Sequence, residues 1–141
     1  MKIRKHISIS LIIVYTVFLY WLTIFSRSET LRSGCEWRPF WKFRAIADGR
    51  EEYIGEIATN LFMFVPIGLL IGLFVKRRGW LVAMTTSIVL SLGIEMLQFY
   101  LKRGLFETDD IIHNTVGCLI GVSLIKMLSV ILRKQGKIQD I

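Results

Sequence analysis

Four stretches of about 20 residues, almost free of charge, constrain this chain more than any other feature. At about 1.5 Å per helical residue, roughly 20 residues cross a hydrocarbon core of about 30 Å. The runs are 7–25, 57–75, 79–101 and 111–132. With 53% hydrophobic residues and a mean hydropathy of +0.53 over 141 residues, the chain has more apolar surface than a soluble domain of this length can hide. The expectation is one all-α domain over 1–141, a polytopic membrane protein built as a four-transmembrane-helix bundle. A basic N-terminal flank and Ser26-Arg27-Ser28 also fit a cleaved signal peptide. The first apolar run exceeds the roughly 7–15 residues of a signal h-region, which favours a retained span.

The net charge of +7 and pI near 9.7 do not point to nucleic acid, because the basic residues border apolar runs rather than forming a face. Positions 1–6, 76–78 and 133–141 hold nine Lys/Arg in eighteen positions. Segment 26–56 holds six in thirty-one, matched by six acids, and 102–110 holds two against three acids. Both termini are therefore expected in the cytoplasm, with the two remaining loops outside a cell membrane. Two cysteines, Cys35 and Cys118, give neither a disulfide framework nor a zinc set.

The first outer loop is too long for a plain connection. In it Trp37, Phe40, Trp41 and Phe43 alternate with Arg38, Lys42 and Arg44, a mixture suited to the headgroup boundary. Pro39 is expected to start or bend a helix there. The segment is either an interfacial anchor or a lid over a polar site.

An ionisable group inside a membrane costs about 2.5–3.5 kcal/mol on insertion scales, so each one raises a functional question. Glu95 lies about six residues below the outer end of the third run, with Gln98 on the same face at i+3. The fourth run opens on Glu107, Asp109, Asp110, His113 and Asn114. Asp110, Asn114, Gly117 and Gly121 share a stripe whose small residues allow close helix approach. Acids at a helix N-terminus also complement its dipole, which alone accounts for Asp109 and Asp110. Asn60, near the outer end of the second run, stands at the head of a stripe with Phe64, Gly68 and Gly72. Arg103 is placed to pair with Glu95, Glu107 or an incoming anion. Asn60, Glu95, Gln98, Arg103, Glu107, Asp109, Asp110 and Asn114 are thus expected to meet at the outer leaflet. His113 has no second His or Cys at metal-ligand spacing, so no metal site is expected.

Those motifs carry a resemblance. WRPF at 37–40, NLFMFVPIG at 60–68, EMLQ at 95–98 and RGLFETDDIIHNTVG at 103–117 together resemble the VanZ-like family of bacterial membrane proteins, over about residues 25–125. Some relatives carry an Asp three residues after the Arg and another three further on, whereas Glu107 and Asp110 each stand one place later. The i+4 relation to Asn114 favours Asp110 over Asp109 for the family role. The resemblance implies a cell-envelope function and tolerance of glycopeptides related to teicoplanin.

Three readings follow for the polar cluster. It binds an outer-leaflet lipid headgroup, an envelope precursor or a glycopeptide, with no cofactor and no catalytic nucleophile. Alternatively, it is an intramembrane enzyme in which Glu95 and Asp110 act as acid and base or hold a divalent cation. Finally, it is a packing network that binds nothing. A transporter is least favoured, since four spans without an inverted repeat give little for alternating access.

Overall fold

The computed structural model describes residues 2–25, 34–75 and 77–135. Five helices and one short strand pair occur there, in the order α1 Lys2–Phe25, β1 Cys35–Glu36, α2 Trp41–Ala47, α3 Glu52–Phe74, α4 Gly79–Tyr100, β2 Phe106–Glu107 and α5 Thr108–Lys134. The architecture is all-α. The Ser26–Ser28 stretch and the basic residues Lys76 and Lys137 lie outside the described residues.

Three helices, α3, α4 and α5, are long and apolar enough to cross a membrane. In α1 the apolar part among the described residues is Ile9–Phe25, and the helix itself begins in the basic flank at Lys2. The large apolar side chains on the outside are those of a molecule solvated by lipid: Val14, Phe62, Val89 and Val130 all point outward.

The deepest packing joins α3 to α5, which run parallel, and α4, which connects them in sequence, returns against α5. A Cβ added at Gly68 would collide with the Cys118 carbonyl, one at Gly117 with the Leu61 carbonyl, and one at Gly121 with the Val65 carbonyl. Backbone therefore touches backbone along this seam, as the small-residue stripes predict. Leu19, Phe64, Ile67, Ile71, Ala83, Ile94, Cys118 and Val122 form the apolar core beside it. Helix α1 is fastened across α3 and α4 by two phenols. Tyr15 Oη donates to the Met63 carbonyl at 2.9 Å, and Tyr20 Oη donates to the Leu90 carbonyl at 3.0 Å, in space left by Gly93.

Segment 34–50 is more structured than its aromatic and basic composition implies. Strand β1 pairs in parallel with β2, Cys35 opposite Phe106 and Glu36 opposite Glu107, and Trp37 lies against Phe106 with ring centroids 4.9 Å apart. A turn at Pro39 and Phe40 leads into α2, in line with the expected helix start near Pro39. Trp37 and Phe40 remain exposed.

Candidate functional site

The site is built around the N-terminus of α5. Asp109 and Asp110 are adjacent, so their side chains diverge and take different tasks. The Asp109 carboxylate accepts the backbone N–H of Phe40 through Oδ1 and that of Lys42 through Oδ2, the latter at 2.9 Å. It caps α2 from another helix, serving N–H groups that α2 itself leaves unsatisfied. This pins α2 across the top of α5, and Lys42 is driven inward.

Lys42 is fully buried. Its Nζ lies 2.5 Å from Asp110 Oδ1, 2.8 Å from Glu107 Oε2 and 3.0 Å from Glu56 Oε2. A divalent cation shared by these acids would need the place that the ammonium takes. Burial works to lower the Lys42 pKa, but the carboxylates of Asp110 and Glu107 outweigh it and hold the group above its ordinary value. Glu107 is pushed up from the usual carboxylate range, first by burial and next by Asp110, with Lys42 acting in the opposite direction.

Glu95, almost fully buried in α4, accepts the backbone N–H of Glu107 through Oε2 at 2.8 Å. It thereby fixes the strand that enters α5. Asn114 Nδ2 donates to Ser91 Oγ at 2.7 Å, and Gln98 Nε2 donates to the Thr23 carbonyl at 3.2 Å. These bonds join α4 to α5 and to α1. Arg103 turns toward the end of α1, where Nη1 donates to the Ile24 carbonyl at 3.3 Å and the guanidinium stands over the Phe25 ring.

A cavity of about 220 Å³ opens where α1, α3, α4 and α5 converge. Thr23, Thr59, Asn60, Glu95, Gln98, Asp110 and Asn114 supply its polar lining, and Leu22, Met63, Phe64 and Ile94 its apolar lining. Five of the eight residues expected to meet therefore do line one space: Asn60, Glu95, Gln98, Asp110 and Asn114. Arg103, Glu107 and Asp109 stand around it in supporting positions. Two of the lining residues keep a buried amide atom without a hydrogen-bond partner, Asn60 Nδ2 and Gln98 Oε1, as do Trp41 Nε1 and both His113 ring nitrogens outside the lining. Buried polar groups are rarely left so, since an unmade bond costs about 1–3 kcal/mol.

The VanZ/LLP1 family profile matches residues 12–131. The chain belongs to the VanZ/LLP1 family. It is similar to "Protein VanZ" of Enterococcus faecium, with 32% identity over 124 residues, covering 85% of this chain and 74% of that one. No solved structure matches. Family membership and the three long apolar helices make this a membrane protein.

Sequence reasoning missed Lys42, which reads as one more cation in an interfacial stretch. The available signal was the excess of acid at 107–110, which needs a buried counter-charge once α5 is packed. Ser91 was also missed, because a serine in a transmembrane run is unremarkable until Asn114 is found to face it.

Proposed function

We propose that this VanZ-family protein crosses the cell membrane four times, with both termini in the cytoplasm. In this reading it holds the headgroup of an outer-leaflet lipid or envelope precursor in the cavity between its helices. Helix α1, Lys2–Phe25, supplies the fourth crossing: its apolar run 7–25 extends about 28 Å, close to the roughly 30 Å of the hydrocarbon core. The cavity then lies toward the extracytoplasmic side, under α2. Occupying or sequestering an envelope component there alters susceptibility to glycopeptides such as teicoplanin.

The observation that carries this reading is one polar-lined cavity, two of whose lining residues, Asn60 and Gln98, each keep a buried amide atom without a partner. A ligand entering the cavity is one way to give these groups partners, which buried polar groups rarely lack. The catalytic reading has less support, because Asp110 is held by Lys42 and Glu95 by the Glu107 amide. Teicoplanin susceptibility of cells expressing Asn60→Leu, Gln98→Leu and Glu95→Gln, with membrane levels measured in parallel, tests the proposal. Graded loss of the phenotype at Asn60 and Gln98 with protein levels intact supports binding. Wild-type phenotype in all three variants refutes a role for the cavity, and complete loss confined to Glu95→Gln favours catalysis.

A further inference from the structure

The lining of the cavity also restricts the chemistry of its occupant, and the following step rests on the binding reading above. We infer that the group held there is an uncharged, hydroxyl-rich headgroup, a glycosyl or polyol unit, rather than a phosphate, a carboxylate or a whole glycopeptide.

Size excludes the last. Drug-sized ligands occupy pockets of about 300–1,000 Å³, whereas this cavity has about 220 Å³, enough for one ring-sized moiety. Charge argues against anions. Among the described residues no Lys, Arg or His lines the space, while the carboxylates of Glu95 and Asp110 do. The nearest buried ammonium, Lys42, already faces three carboxylates. An entering phosphate would meet like charge with no free cation to offset it.

The unpartnered atoms favour a hydroxyl. Asn60 Nδ2 requires an acceptor and Gln98 Oε1 a donor, and a hydroxyl is both. The arrangement of the Gln98 amide is fixed by its Nε2 bond to the Thr23 carbonyl, and a hydroxyl serves Asn60 in either arrangement. With Asn60 Nδ2 oriented as here, an ammonium, which only donates, would leave it unmatched. Vicinal hydroxyls can then donate to the two carboxylates, while Leu22, Met63, Phe64 and Ile94 receive the apolar ring face or the start of a lipid tail.

The test uses the full chain in phosphatidylcholine nanodiscs containing equal small fractions of monoglucosyl diacylglycerol, phosphatidic acid and phosphatidylethanolamine, with retained lipids read by native mass spectrometry. The expected result is at least tenfold enrichment of the glycosyl lipid over both others, lost in Asn60→Leu. The melting temperature of that variant without glycosyl lipid should stay level or rise by a few degrees, because an unmatched amide has been replaced by an apolar group. Gln98→Leu serves as the second variant and should lose the same lipid. Added methyl glucoside that displaces the lipid assigns recognition to the sugar alone, and failure to displace assigns it to sugar and lipid tail together; both keep the hydroxyl chemistry. Preferential, Asn60-dependent retention of phosphatidic acid or phosphatidylethanolamine overturns this inference but leaves the binding reading standing. Retention of no lipid in an Asn60-dependent manner overturns both.

Discussion

Replacing Lys42 by Met removes one buried charge and keeps most of the stem. The Asp110 and Glu107 oxygens, at 2.5 and 2.8 Å from Nζ, can be no more than about 5.3 Å apart. At an effective dielectric of about 20 their repulsion is then about 3 kcal/mol once the ammonium is gone. That agrees with the roughly 3–5 kcal/mol lost when one partner of a buried ion pair is deleted. For a chain of this length it corresponds to a fall of about 10–15 °C in melting temperature. The loss should depend on pH. Glu107 already carries a raised pKa from burial, and without Lys42 it rises further, so the folded variant binds a proton that the unfolded chain releases. Such a group favours the folded state at low pH and loses that contribution as pH rises through its folded value. Lys42→Met should therefore approach the wild type near about pH 5 and diverge from it toward about pH 8. Thermal unfolding in nanodiscs across that range is the assay. Adding Glu107→Gln and Asp110→Asn to Lys42→Met should recover most of the loss. Equal melting temperatures for Lys42→Met and the wild type throughout would refute the view that Lys42 is the counterion of this cluster.

In the wild type the same cluster should lose stability in strong alkali. The Lys42 contribution is complete below the ordinary lysine value and disappears as pH rises through the higher folded one, which alkaline unfolding curves of the wild type would reveal. Gly121→Ala should destabilise by at least about 1–3 kcal/mol, since its Cβ would meet the Val65 carbonyl on a facing backbone; the yield of folded protein and its denaturant midpoint report this. Tyr20→Phe removes the bond to Leu90 and should cost about 1 kcal/mol by the same denaturant assay. Cys35 is exposed and Cys118 buried, so an impermeant maleimide applied to intact spheroplasts should label Cys35 alone, and labelling only after lysis would reverse the proposed orientation.

The helices were legible because lipid solvent imposes length and composition directly: the runs at 57–75, 79–101 and 111–132 fall within a few residues of α3, α4 and the body of α5. That Gly68, Gly117 and Gly121 lie on close-packing faces was equally legible from their spacing, whereas the pairing of α3 with α5 was not. Asn60, Glu95, Gln98, Asp110 and Asn114 could be grouped because a polar residue at depth must face inward. The division of labour between Asp109 and Asp110 was not legible. Helical spacing places Asp110 toward Asn114, but only the tertiary path of α2 tells that Asp109 caps it. The two-residue pairing of β1 with β2 was too short to leave a periodic signal, and the orientation of Arg103 toward α1 depends on where α1 ends.

The placement of Lys42 and Asp110, 68 residues apart in the chain, has a consequence for biosynthesis. At about 5–20 residues per second, the lysine is made roughly 3–14 s before the aspartate that faces it. In the proposed topology, segment 34–50 is synthesised before the last helix, so its ammonium can be in place when the acidic head of α5 arrives. On that topology the order of synthesis supplies the cation first, and the acids meet a waiting counterion as they enter the low-dielectric layer.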